Sequence, residues 1–293
     1  MLTLKQLNDK AMMVRLTISK PATSKRDESA EQFTQSSLQD AGLKVSATLF
    51  KEKTNPVRTL LNSANAVYHY HKQHTIPYID RGPRLLPVAM YETYRDAMRK
   101  LIGEVQADLQ RVMPEYDLHV QNDIAFRNGS TGQGRATVAD YPTREQFEAS
   151  FKMEFSFSPL PSNAHWLFDV APEDRAALDA LEAQTAEMAR ADMYGRLREP
   201  VRKLLEKLKV PAGTPGAIFR DTAVTNVSDA VDLVRQLAMG DEVILKMCED
   251  VERTVAPVLT NPDVLRESPV VREAAAARLK EVSDRMGFMF ENA

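Results

Sequence analysis

Cysteine is almost absent from this 293-residue sequence: Cys248 is the single one, so no disulfide can form within the chain. A chain without disulfides is typical of a reducing compartment. No apolar run approaches the length of a membrane-spanning helix, and the first residues, MLTLKQLNDKAMM, lack the apolar core of a signal peptide. We therefore predict a cytoplasmic protein with no membrane partner.

The motifs of the common catalytic folds are also missing. The sequence contains no Gly-x-Ser-x-Gly, no glycine-rich dinucleotide fingerprint and no Walker motif. His69, His71 and His74 lie close in sequence, but neither a cysteine nor a nearby carboxylate completes a tetrahedral metal site. Cys248 lies in a predicted helix without any sign of thiol activation. We predict no metal, no cofactor and no enzymatic activity, with packing or surface roles for the histidines.

The sequence also lacks a large net charge of either sign. The formal net charge is −3 and the pI is near 6.0. This balance argues against a surface that binds nucleic acid all over, but it permits a local basic patch. Basic residues do occur in two predicted loops, a mobile basic loop at Lys20–Ser29 and a flexible glycine-rich loop at Asn128–Arg135.

Alternating apolar and polar residues predict four short strands, at residues 12–18, 43–49, 151–157 and 165–170. We expect them to pair in one small antiparallel sheet under helices that the 3.6-residue spacing predicts elsewhere, including a long helix from Pro172. The predicted fold is α+β, predominantly α-helical with one small antiparallel β-sheet. Residues 1–170 form the predicted α+β core domain, and residues 171–293 form a helical region that is either separate or continuous with the core.

The stretch Tyr68–Leu101 joins the two segments with the clearest helical pattern. Asn55-Pro56 predicts the start of the first helix, because asparagine caps helices and proline is tolerated at the first helical position. Pro77 and Gly82-Pro83 exclude a continuous helix through the connector, and Pro114 ends the second helix. The first predicted buried face contains Val57, Leu60, Leu61, Ala64, Tyr68 and His71. The second contains Tyr91, Tyr94, Met98, Leu101, Val105, Leu109 and Val112.

Asp80, Arg81 and Arg84 surround the Gly-Pro turn of this connector. An aspartate beside two arginines predicts a fixed ion pair that locks the connector, since arginine and carboxylate make planar two-bond contacts. The alternative is functional: Arg81 or Arg84 contacts an anion or a partner protein.

Several short motifs follow one another in the order Tyr68-His69-Tyr70, Pro77-Tyr78, Arg84-Leu85-Leu86-Pro87, Tyr91-x-x-Tyr94 and Met98-Arg99-Lys100-Leu101. This order resembles the core of a family from phages and integrative elements, the domain-of-unknown-function family 3150. Pro215–Asp221 and the Tyr141-Pro142 region also resemble it. The resemblance implies no assigned activity. It implies a bacterial host and genes that often lie near cobaltochelatase-like AAA+ ATPases, von Willebrand A-type proteins and recombination genes.

Two functional hypotheses follow. The first is a non-enzymatic accessory protein of a phage or mobile genetic element that acts through protein contacts, as a homo-oligomer, with an AAA+ ATPase partner, or both. The second is a protein that binds single-stranded DNA or RNA during recombination. Its candidate phosphate contacts are Lys20, Lys25, Arg26, Lys51, Lys53, Arg127 and Arg135.

Overall fold

The computed structural model describes residues 9–78, 82–129, 136–160, 172–210, 222–259 and 268–291. Its strands are β1 (Ala11–Ser19), β2 (Ser24–Arg26), β3 (Ser46–Thr48), β4 (Ile76–Pro77), β5 (Arg84–Pro87) and β6 (Lys152–Ser158). Its helices are α1 (Glu28–Leu38), α2 (Pro56–Gln73), α3 (Tyr91–Val112), α4 (Tyr116–Asn128), α5 (Arg144–Ser150), α6 (Pro172–Lys209), α7 (Thr222–Leu237), α8 (Glu242–Leu259) and α9 (Pro269–Glu291). The predicted α+β fold, predominantly helical, is confirmed.

A four-stranded sheet has the order β4-β5-β1-β6. β5 pairs antiparallel with β1 on one side and with β4 on the other, so that Leu85 lies opposite both Met13 and Ile76. Leu85 and Ile76 are fully buried. The prediction of one small antiparallel sheet with four strands is therefore right, but two of its strands, β4 and β5, come from the connector.

The predicted strand at residues 43–49 is wrong in its extent and in its partner. Only Ser46–Thr48 is a strand, and it pairs with β2 in a separate two-stranded sheet. The prediction of a mobile loop at Lys20–Ser29 is also wrong, because this segment contains β2 and the start of α1. Backbone hydrogen bonds from Asp27 to Val45 and from Leu49 to Thr23 hold both segments in place. The predicted strand at 165–170 and most of the glycine-rich loop lie outside the described residues.

The chain divides into two compact units. Unit 1 comprises Met1–Arg15, Gln73–Glu92 and Ser156–Ala293, and unit 2 comprises Leu16–Lys72 and Thr93–Phe155. The helices α6 to α9 belong to unit 1, and α1 to α5 belong to unit 2 except for the terminal residues of α2 and α3. The predicted boundary near residue 170 lies outside the described residues.

In unit 2, α2 and α3 have the bounds that their proline and apolar patterns predict. The Asn55 Oδ1 accepts a hydrogen bond from the Val57 N–H at 3.0 Å, which is the predicted N-terminal cap. In α3 the predicted face is buried at Tyr94, Met98, Val105 and Val112, whereas Tyr91, Leu101 and Leu109 are only half-buried. In α2 one face residue is wrong: Tyr68 is 44% exposed and Val67 is buried in its place. Val67 continues the helical spacing from Leu60 and Ala64, whereas the Tyr68 ring lies outside that face, 5.7 Å from the Lys72 Nζ.

In unit 1, two buried charged residues fix the helix ends. The Asp241 side chain accepts hydrogen bonds from the Val243 and Ile244 N–H groups and so caps the start of α8. The Arg190 Nε donates to the same carboxylate at 2.9 Å. Arg272 of α9 donates to the Lys207 and Leu208 carbonyl oxygens and thereby satisfies the C-terminal end of α6. None of the described helices combines the length and apolarity that crossing a bilayer requires.

Candidate functional site

Three of the basic residues predicted to contact nucleic acid meet at one cavity of unit 2. Lys25 and Arg26 reach it from β2 and Arg127 from α4, and the cavity has a volume of about 430 Å³. Asp27, Glu28 and Asp140 also line it, so its three cations face three carboxylates. The cavity therefore gathers basic residues without a net positive charge.

Each of these three cations is engaged with an acidic residue. The Lys25 Nζ lies 3.1 Å from an Asp140 carboxylate oxygen, and the Arg127 Nη1 lies 3.5 Å from the other one. Arg26 donates two hydrogen bonds, of 2.8 and 2.7 Å, to the carboxylate of Glu31. A phosphate that enters the cavity has to compete with these internal partners.

The electrostatics of Asp140 reflect this engagement. Burial opposes its ionisation, but hydrogen bonds from the Thr137 N–H and Lys25, together with the charge of Arg127, hold the pKa of its carboxyl below the usual range. The hydrogen bond and charge of Arg26 likewise outweigh burial and lower the pKa of Glu31. Both carboxylates are thus ionised at neutral pH and neutralise the cations beside them.

The remaining predicted contacts are spread more widely. Lys20 donates to the Asn65 side chain, whereas Lys51 and Lys53 are exposed between β3 and α2. Arg135 lies outside the described residues. The structure thus brings together Lys25, Arg26 and Arg127 and leaves the function of all seven residues as a prediction.

A buried carboxylate beneath this cavity was not anticipated from the sequence. Asp123 of α4 is fully buried and accepts hydrogen bonds from the Phe50 N–H at 2.8 Å and the Lys51 N–H at 3.1 Å. The Tyr141 hydroxyl donates to it at 2.6 Å, and Arg127 in turn donates to the Tyr141 oxygen at 3.1 Å. Burial, followed by the bond to Asp123, raises the pKa of Tyr141 to about 12. The Asp123 side chain therefore ties α4 to the segment after β3, where Phe50 has a φ of +51°.

Arg84, one of the residues predicted to lock the connector, belongs to β5 in unit 1. Its Nε donates to the Thr75 hydroxyl at 2.7 Å and its Nη2 donates to the Thr75 carbonyl at 2.9 Å. Arg196 of α6 donates to the same carbonyl at 2.7 Å and to the Gln73 carbonyl at the end of α2. Two guanidinium groups therefore hold the backbone just after α2. Asp80 and Arg81 lie outside the described residues, and a partner or anion contact by the three residues stays a prediction.

A polar groove lies between α6 and α7 in unit 1. Its volume is about 680 Å³. Pro200, Lys203, Leu204 and Lys207 line it from α6, and the other wall is formed by one face of α7. The groove was not predicted, because sequence periodicity marks the buried face of each helix but does not show which helices flank an opening.

Helix α1 exposes its largest apolar side chains. Phe33 is 70% exposed and Leu38 is 65% exposed, whereas Glu31 of the same helix is only 4% exposed. The buried carboxylate is explained by the two hydrogen bonds from Arg26. Nothing within the described part of unit 2 covers Phe33 and Leu38.

His71 and Cys248 have packing roles in the described part of the chain. The His71 Nδ1 lies 2.7 Å from the Tyr94 hydroxyl inside unit 2. Cys248 is fully buried, and burial raises the pKa of its thiol to about 11. No group of three potential metal ligands occurs within the ranges that the structure describes.

Comparison with known proteins gives no match to a family model, to a curated protein or to a solved structure.

Proposed function

We propose that this chain is a non-enzymatic accessory protein of a phage or mobile genetic element and acts through protein–protein contacts in the cytoplasm of a bacterial host. The observation that supports this proposal best is the unusual burial pattern of α1, in which a charged side chain is buried and apolar side chains are exposed. A helix that buries Glu31 and exposes both Phe33 and Leu38 is the informative departure from ordinary burial, because large apolar side chains left exposed on one helix favour a contact surface. The proposed origin in a phage or mobile genetic element and the proposed AAA+ ATPase partner rest on the motif order from Tyr68 to Leu101.

We expect replacement of both apolar residues, Phe33→Asp with Leu38→Asp, to abolish assembly without unfolding the protein. The physical reason is that two carboxylates cannot be buried in an apolar interface without a large desolvation cost. Size-exclusion chromatography with light scattering measures the mass, and co-purification measures binding to the AAA+ ATPase encoded nearby.

The matched control is Leu118→Asp with Phe126→Asp on α4, since these side chains are 54% and 49% exposed in the same unit. This control should keep the wild-type mass and partner binding. The proposal for α1 is contradicted if the Phe33 and Leu38 variant assembles and binds the ATPase as the wild type does.

The second candidate function is binding of single-stranded nucleic acid, and the meeting of Lys25, Arg26 and Arg127 at one cavity favours it. Because each of these cations has an acidic neighbour, we expect weak binding that falls steeply with salt. Fluorescence anisotropy with a labelled oligothymidylate measures it, and Asp140→Asn should strengthen binding by freeing Lys25 and Arg127. No binding by either protein at low salt would rule out this function.

A further inference from the structure

The groove between α6 and α7 has two charged walls of opposite sign. Lys203 and Lys207 are one turn apart on α6, and Asp229 and Asp232 lie on the facing wall from α7. Pro200, Ala230 and Leu233, which are half-buried, also line the groove and supply its apolar part. The groove therefore offers a basic edge and an acidic edge with apolar contacts between them.

These charges are available to a ligand. Within the part of the chain that the structure describes, no ion pair joins the two walls, and Lys207 and Asp229 take part in none at all. Lys203 pairs with Glu199 at 3.2 Å and Asp232 with Arg235 at 3.4 Å, both between side chains at least 39% exposed. Exposed pairs of this kind contribute little, so a ligand can replace them at low cost.

The pattern of charges selects among classes of ligand. A phosphate backbone would meet repulsion from Asp229 and Asp232, which disfavours nucleic acid. The α6 wall from Pro200 to Lys207 is on the order of 10 Å long, which suits about two turns of a helical peptide. A peptide can also present an acidic, an apolar and a basic side chain in one segment, as the two walls require.

We propose that this groove docks a segment of a partner protein with an acidic edge against Lys203 and Lys207, a basic edge against Asp229 and Asp232, and leucine-like side chains between them. The proposal rests on the proposed function, since it assigns a docking site to a protein that acts through protein contacts. It concerns a surface of unit 1, whereas the Phe33 and Leu38 surface belongs to unit 2.

The test uses three labelled helical peptides that share one leucine stripe. The first has glutamates on one edge and lysines on the other, the second has lysines on both edges, and the third has glutamates on both. Fluorescence anisotropy on the full-length wild type should show the mixed peptide binding about tenfold more tightly than the other two, because like charges across an interface are repulsive.

Reversing the charge of the α6 wall changes which peptide is expected to bind best. In Lys203→Glu with Lys207→Glu both walls are acidic, so the mixed peptide should lose about tenfold in affinity and the all-lysine peptide should bind best. Lys280→Glu is the matched control, because Lys280 is also an exposed helical lysine of unit 1 and pairs with Asp284. It should keep the wild-type preference.

Equal binding of the three peptides, binding of none, or an unchanged preference after wall reversal would overturn the docking site. If Lys203→Glu with Lys207→Glu instead dissociates the wild-type oligomer, a second copy of this chain is the occupant and the assignment to a different protein is wrong. If the groove shows no peptide preference but the wild type still assembles or binds the ATPase, only the docking site is wrong and the proposed function stands. If the peptide preference is observed but the wild type neither assembles nor binds the ATPase, the docking site stands and the proposed function is wrong.

Discussion

Asp123→Ala is expected to lower the free energy of unfolding by roughly 3–5 kcal/mol, because three hydrogen-bond donors lose their acceptor at once. The substitution leaves the Phe50 and Lys51 N–H groups and the Tyr141 hydroxyl without the acceptor that the fully buried Asp123 provides. Denaturant unfolding measures the loss. Hydrogen exchange at the Phe50 and Lys51 amides locates it, because both amides should exchange faster than in the wild type.

Tyr141→Phe is the graded control for this prediction. It removes one of the three donors and keeps the ring, so the expected loss is only about 1–2 kcal/mol and the Phe50 and Lys51 amides should stay protected. Wild-type stability in Asp123→Ala, or equal losses in both variants, would show that the Asp123 carboxylate does not hold the segment after β3.

Arg84→Ala is expected to lower the free energy of unfolding by about 2–3 kcal/mol. Arg84 gives a planar pair of hydrogen bonds to the hydroxyl and carbonyl of Thr75, and the Thr75 side chain is fully buried. The Thr75 carbonyl keeps its hydrogen bond from Arg196, which limits the loss. Thermal melting of the full-length protein measures it.

Arg84→Lys should restore only part of this stability, since an ammonium group cannot make the planar two-bond contact. The same two variants separate the structural role of Arg84 from a partner contact. If Arg84→Ala melts like the wild type but forms less oligomer, Arg84 contacts a partner and its structural role at Thr75 is refuted.

The helices were the part of the fold that the sequence predicted well. In α2 the cap at Asn55, the proline at position 56 and a regular apolar spacing all favour the same start and the same buried face. The error at Tyr68 arose because an aromatic residue next to a periodic position was given more weight than Val67. A ring of that size can cover surface as well as core, so residue type alone does not decide its burial.

The membership of the sheet could not be predicted in the same way. β4 has two residues and β5 has four, which is too short for alternation to be recognised. The place of β5 beside β1, with β4 on its other side, depends on backbone pairing between residues more than 60 positions apart, such as Met13 with Leu85. Local patterns carry no information about such pairing.

The candidate sites were predicted least, because they depend on contacts between distant parts of the chain. Asp123 lies 73 positions from Phe50, and nothing around it distinguishes it from an exposed helical aspartate. Arg84 contacts the hydroxyl and carbonyl of Thr75, a partner that the sequence did not indicate, whereas its predicted ion pair with Asp80 lies outside the described residues and stays a prediction. The signal that could have pointed to Thr75 is its place between the end of α2 and Pro77, where carbonyl groups lack helical donors.

Sedimentation velocity on the wild-type chain, alone and mixed with the AAA+ ATPase that we propose as its partner, tests the central claim most directly. We expect a species heavier than the monomer in at least one of the two samples, lost in Phe33→Asp with Leu38→Asp. A strictly monomeric chain that sediments independently of the ATPase would contradict the claim that this protein acts through protein contacts.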